Sequence, residues 1–204
     1  MGAPNASNVS NSRPNYTGAV FSAPLGTDEP ESATESLDSA YRGYGYISDE
    51  GLSNEFETDS EQIQAFGGDE VLSIQTGYAE TFTQAFLEEN IETKRAFFGE
   101  DNVFITDEGF AAIHSSAELP YLTWVWDVRL TGGRLKRTVI FEAKVDERES
   151  VEHQTGEANT HGTTLRARPV TREINGETHH GVTAIEYIVD PSVANGDGGG
   201  GEGN

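Results

Sequence analysis

Histidine and carboxylate are the two side-chain types that could do chemistry in this sequence. There are five histidines and 35 acidic residues, but no cysteine. The absence of cysteine removes disulfides, thiolate catalysis and cysteine-ligated zinc together. His179 and His180 are adjacent, so on a strand they point to opposite faces and cannot chelate one ion together. His153 and His161 fall in a polar stretch that reads as a loop, and His114 stands alone. With no fixed carboxylate partner, these read as ordinary surface or half-buried histidines rather than a metal site, and no cofactor is expected. No nucleophile elbow, P-loop or dinucleotide fingerprint is present, so no catalytic residue is expected. Three Asn-x-Ser/Thr triplets near the N-terminus have no secretory signal beside them and read as compositional chance.

One spacing stands out. Glu55, Glu57, Asp59 and Glu61 alternate over seven residues. In an extended chain all four carboxylates share one face, about 7 Å apart. Each neighbouring pair then repels by about 0.6 kcal/mol even in water. A solvated loop would tolerate that repulsion. A calcium site fits less well, because residues alternating on a flat strand do not wrap an ion. A wall kept negative for a purpose is the third reading, and the residues alone leave the three open.

The charge around this row is uneven. The 204 residues carry a net charge of −22. Residues 1–93 hold 17 acids against Arg13 and Arg42, a net of −15, while residues 129–172 hold nine basic and six acidic residues, a net of +3. A chain this acidic gains nothing from counterion release at a phosphate backbone, which argues against gripping nucleic acid or an anionic membrane. The asymmetry could steer one copy's acidic half onto another's basic half, or each half could be a solvated surface. No stretch approaches the ~20 apolar residues of a membrane span, and the polar start Met1–Ser12 does not read as a signal peptide. The expectation is a soluble protein made in a cytoplasm.

The elements that would position these residues are mostly strands. Residues 1–40 hold four of the seven prolines and read as an arm with little regular structure, within which Val20–Leu25 could form one strand. In Leu119–Leu130, the residues Leu122, Trp124, Trp126, Val128 and Leu130 share one face and Tyr121, Thr123, Val125, Asp127 and Arg129 the other. This is the pattern of a half-buried antiparallel strand. A Thr131-Gly132-Gly133 turn leads into a second strand with Leu135, Val139, Phe141, Ala143 and Val145 on one face. Leu122, Trp124, Trp126 and Phe141 are the expected core anchors, with Val128 and Val139 nearby. Thr163–Glu173 and Glu177–Asp190 flank Asn175-Gly176, a strong hairpin signal. Tyr41–Ser48 and Glu70–Glu80 read as further strands, and Thr81–Leu87 is ambiguous between strand and helix. Asn90 caps a short helix Ile91–Phe98 that ends at Gly99. Eight or more strands and one helix predict a β-sandwich or barrel with a helix packed on it. The last residues, mostly glycine, read as a disordered tail.

Several segments, taken in order, resemble the major tail proteins, or tail tube proteins, of phages with long non-contractile tails, especially the actinobacteriophage type. They are Gly18-Ala-Val-Phe-Ser-Ala-Pro-Leu-Gly-Thr27, Glu35-Ser-Leu-Asp38 and Tyr44-Gly-Tyr-Ile-Ser-Asp-Glu-Gly51, then Ile63-Gln-Ala-Phe-Gly-Gly-Asp69, Glu80-Thr-Phe-Thr83, Glu88-Glu-Asn90 and the Phe98-Gly99 helix end. The resemblance covers roughly 18–192. The C-terminal immunoglobulin-like domain that the family often carries is not expected within these residues.

The resemblance implies a tail-tube fold, two packed antiparallel sheets flanked by one short helix, and it resolves Thr81–Leu87 as strand. It implies a 1–17 flexible N-terminal arm, an 18–192 β-domain and a 193–204 glycine-rich tail. It implies stacked homohexameric rings around a tape measure protein, closed off by tail terminator and tail-tip proteins, in a virion tail assembled in the host cytoplasm. DNA later passes through the lumen without specific binding, and an acidic wall would keep it from adsorbing. Glu55, Glu57, Asp59 and Glu61 become candidates for the lumen or its rim. The stretch Asp49–Asp69, with Gly51, Phe56, Phe66, Gly67 and Gly68, becomes the candidate inter-ring loop. A different ring-forming tube or terminator protein of the same fold, or a monomeric ligand-binding β-sandwich, are the alternatives.

Overall fold

A computed structural model describes residue 6 and residues 9–191. The expected glycine-rich tail, 193–204, lies outside the described residues. In chain order the elements are β1 (Ser12–Pro14), β2 (Val20–Pro24), β3 (Arg42–Gly43), β4 (Ile47–Gln64), β5 (Glu70–Phe86), α1 (Ile91–Phe98), β6 (Val103–Thr106) and β7 (Gly109–Ala112). They continue with β8 (Leu122–Leu130), β9 (Leu135–Arg148), β10 (His161–Ala167), β11 (Val170–Ile174), β12 (Glu177–Val182) and β13 (Ala184–Val189). Among the described residues the protein is mainly β, with every strand pair antiparallel and one short α-helix.

The β8–β9 hairpin is the centre of a nine-stranded sheet. The outer edge of β8 is filled by two strands laid end to end: β2 opposite Leu122–Trp126 and β1 opposite Val128–Leu130. The last part of the expected N-terminal arm is therefore paired into the sheet. The outer edge of β9 is also filled end to end, by β10 and β13. The β11–β12 hairpin leaves the sheet between them, closed by Asn175-Gly176 with both residues at positive φ, the requirement of a type I′ turn. The expected hairpin over 163–190 is thus two sheet strands with a smaller hairpin inserted. Beyond β10 come β5 and β4, and beyond β2 comes β3.

The two edge strands, β3 and β4, are separated by only Tyr44, Gly45 and Tyr46. Their facing ends therefore lie within about 14 Å of each other, so the sheet must curl. Side-chain contacts show the same curvature. Phe82 on β5 and Trp126 on β8 are three strand spacings apart, about 14 Å in a flat sheet, yet their ring centroids are 5.2 Å apart. Tyr44 lies on the seam, 4.9 Å from the Phe86 ring and 5.5 Å from Trp124. The described residues thus form one curled sheet with two small separate hairpins, nearer the barrel of the expected sandwich or barrel than two packed sheets. Alternation identifies strands but not their neighbours, so both architectures fit the same sequence pattern.

The curl encloses Trp124, Trp126, Phe82, Phe86, Ile140, Leu165 and Ala143. A second core lies on the outer face: Val125, Val139 and Phe141, covered by Val170, Ile174 and Val182 of the β11–β12 hairpin and by Leu37 and Tyr41. Two expectations are corrected by this arrangement. Strand β8 is buried on both faces, not one, with Thr123 and Val125 fully inaccessible. Phe141 and Val139 lie across the sheet from the two tryptophans rather than beside them. The cause is a bulge: Leu122 opposes Ala143 and Trp124 opposes Ile140, so two steps on β8 face three on β9. Ile140, Ala143 and Val145 therefore point inward although their spacing is not even.

The helix forms as local chemistry dictates. The Asn90 side chain accepts from the Thr93 N–H at 2.9 Å, and the Gly99 N–H donates to the Arg95 carbonyl at 2.8 Å. Strand β5 runs unbroken through Thr81–Phe86. The expected strand Tyr41–Ser48 is reduced to Arg42–Gly43, with β4 beginning at Ile47.

Candidate functional site

The acidic row lies on β4, which pairs with β5 from Ile47–Phe86 out to Gln64–Glu70. Strand β10 supports β5 only over Thr81–Phe86. Beyond that the two strands form a free ribbon, and nine steps from Glu55 to Gln64 carry its tip about 30 Å away from the sheet. The expected inter-ring loop, Asp49–Asp69, is therefore most of β4 and the turn that follows it, and β5 completes the ribbon. Asp49 and Gly51 belong to an irregularity at the ribbon's root, where four residues between Ile47 and Leu52 face a single residue between their partners Phe86 and Gln84. Gly51 has φ 79° there, a conformation that costs a residue with a side chain. Phe56 is exposed on β4, and Phe66, Gly67 and Gly68 form the tip, closed by an Ala65 N–H bond to the Asp69 carbonyl at 2.8 Å. The β4 half of the ribbon reads as a loop in the sequence because nothing apolar lies beneath it, whereas the Glu70–Glu80 half reads as the strand it is. The ribbon's order comes from the ladder alone.

Registered pairs define its faces. Glu55, Glu57, Asp59 and Glu61 stand opposite Thr81, Ala79, Gly77 and Ile74, so all four share one face as the alternation predicts. The extra residue at the Asp59–Ser60 irregularity is Thr76 on β5, which leaves the β4 alternation intact. None of the four has an ion-pair partner among the described residues. The tip exposes Ile63, Leu72 and Ile74, and Phe66 is wholly accessible at 112%. A two-stranded ribbon with uncovered apolar side chains is marginal alone in water.

The root is clamped by a residue with no sequence signal, Glu80, which is buried. Its carboxylate accepts from Asn54 Nδ2 and Tyr78 OH, each at 3.0 Å, and from Thr183 Oγ1. The ribbon is thereby tied to the segment between β12 and β13. Beside the root is an open groove of about 530 Å³ between β1, β4 and β8, floored by Phe82, Trp126 and Val128.

The histidines separate. His179 and His180 occupy successive positions on β12, and His114 stacks on Phe98 at 4.4 Å. His161 is corrected: it opens β10 and is fully buried, not in a polar loop. Its Nε2 lies 2.6 Å from Lys94 Nζ, and Lys94 is paired with Glu89 at 2.6 Å. Burial first, then the Lys94 charge, pushes the imidazole below its ordinary pKa, against a smaller opposing effect of Glu89. The neutral ring accepts from the ammonium, which suits a buried strut. Among the described residues, no group of three or more His, Asp or Glu side chains is placed to hold a metal ion. No helix among them is long and apolar enough to cross a membrane.

Comparison with known protein families finds no matching family model, and a search of curated proteins finds no match.

Proposed function

We propose that the chain is the repeating subunit of a phage tail tube. Six copies form a ring, and rings stack through the β4–β5 ribbon around a tape measure protein. Terminator and tip proteins close the two ends, and DNA later passes through the lumen. The observation that carries this reading is the ribbon itself: an extended arm about 30 Å long with an uncovered apolar tip, rooted in a curled antiparallel sheet that bears one short helix. A lone subunit gains nothing by exposing such a tip, whereas a self-assembling one uses it. The segments that resemble tail tube proteins, and a net charge of −22 unsuited to gripping DNA, support the same reading. The acidic row is carried on the arm, so it belongs at the rim, where one ring meets the next. No catalytic step is part of this role.

Negative-stain micrographs of the purified protein provide the test. Long hollow tubes of uniform width are the expected result. Particles that stop at one ring would favour a terminator. A single 22.1 kDa species at every concentration would overturn the reading in favour of a monomeric binding protein.

A further inference from the structure

We propose that the groove between β1, β4 and β8 is the socket that receives the ribbon tip of a second copy. The proposal rests on the tube reading and adds to it the surface on which the arm lands.

Charge is the first argument. The ribbon, residues 52–80, holds seven carboxylates and no basic residue. The socket end of the sheet holds the opposite sign. Arg13 lines the groove and is registered against Arg129, and Arg134 follows at the β8–β9 turn. Arg129 stacks over the Tyr16 ring at 3.5 Å and Arg134 donates to Ser10 Oγ. None of these three guanidinium groups has a carboxylate partner among the described residues. Lys136, also on the groove, is already paired with Glu186. Asp49 is the other acid lining it. Arg13 is thus available to the acidic row of an incoming ribbon at the groove itself and Arg134 at the turn beside it, whereas Arg129 alternates onto the face of β8 away from Trp126 and Val128.

Shape is the second argument. The floor of Phe82, Trp126 and Val128 is apolar, and about 530 Å³ is within the range of a well-formed binding cavity. The tip brings Phe66, with Ile63 and Leu72 behind it, all uncovered in the single chain. Reach is the third. The ribbon leaves from the edge of this same groove, since Asp49, Leu52 and Asn54 line it, and its own tip is held about 30 Å away by the ladder. Only another molecule's tip can enter. Such a contact joins two different surfaces, does not close on itself and propagates as a filament.

The chain has no cysteine, so introduced thiols report unambiguously. Chains carrying Phe66→Cys are mixed with chains carrying Ser12→Cys, at the groove mouth, assembled and oxidised. A disulfide joining the two variants is the expected result, and tubes without it would overturn the socket while leaving the tube reading intact. Wild-type protein that forms no tubes would defeat the tube reading itself. In a second measurement, Arg13→Glu and Arg134→Glu together should raise the protein concentration needed for assembly at low salt about fivefold, from the loss of two exposed charge pairs. Mixing with chains carrying Glu57→Lys, Asp59→Lys and Glu61→Lys should restore assembly. An unchanged threshold in the double-arginine variant would overturn the proposal.

Discussion

Asp127 and Arg137 face each other across the β8–β9 hairpin and form a bidentate ion pair, with Nε to Oδ1 and Nη2 to Oδ2 both at 2.7 Å. Both side chains are buried. The remaining guanidinium nitrogen, Nη1, donates to the carbonyls of Ser32 and Glu35 at 2.9 and 2.7 Å. One arginine thus joins the central hairpin to the long segment between β2 and β3 that covers the outer core.

Arg137→Met leaves the Asp127 carboxylate buried without a partner, and it should cost about 3–5 kcal/mol. Urea denaturation measures this as a shift in midpoint. Converting Asp127 to Leu in the same chain should recover much of the loss, because an apolar pair of similar volume avoids the uncompensated charge. The two carbonyls stay unpaired, so recovery should be incomplete.

Trp126→Ala should cost about 3–5 kcal/mol by cavity formation in the inner core. Trp126→Phe keeps an aromatic ring near Phe82 but loses the indole N–H bond to Gln84 Oε1, 2.7 Å in the native chain. It should cost about 1–3 kcal/mol. Thermal melting of both variants, with retained far-ultraviolet circular dichroism, checks the order.

His161 gives the fold a dependence on pH. Its pKa is lowered from the ordinary 6.5 by burial and by Lys94, so the unfolded chain binds its proton more readily than the native one. The contribution is complete above about pH 6.5 and is lost as pH falls toward the depressed native value. His161→Gln should therefore flatten the stability profile below pH 6.5 relative to the wild type. Parallel profiles for the two proteins would show that His161 does not carry this dependence.

Excising Thr58–Tyr78 and joining Glu57 to Ala79, registered partners on the two strands, through Asn-Gly removes the ribbon but leaves Glu80 and Asn54 in place. The melting curve should fall by no more than about 1–3 kcal/mol, since of the removed residues Tyr78 alone bonds a buried group, the Glu80 carboxylate, which keeps Asn54 and Thr183. Assembly should be abolished. Sedimentation of the shortened protein beside the intact one separates the two effects.

Local chemistry was legible in the sequence and long-range pairing was not. The Asn90 cap, the Gly99 end and the Asn175-Gly176 turn each depend on residues a few positions apart, and each is where the residue types put it. The tryptophan alternation located β8 correctly. Burial of its second face depends on Val170 and Val182, some 45 and 57 residues along the chain, and nothing in β8 announces them. The β9 bulge is set by pairing with β8 and appears in the sequence only as broken spacing. Glu80 sits in an alternating strand like any surface acid. Its burial follows from Asn54 and Thr183, which reach it from other elements. His161 has the polar neighbours of a loop, and only α1 packing over β10 covers it. The four-acid row was visible as spacing, but its support was not, because a ladder of backbone bonds needs no apolar residues.

The division of the β9 edge between β10 and β13 has a practical consequence. Ala167 is held opposite Ala143 and Ala184 opposite Ile140, so the ends of the β11–β12 insertion are fixed independently of what lies between them. The Asn175-Gly176 tip is exposed and farthest from both anchor points. A peptide spliced there would be carried as a passenger, with Val170, Ile174 and Val182 still sealing the outer core. In the proposed tube, where every subunit would repeat it, that turn would become a regularly spaced array for multivalent display.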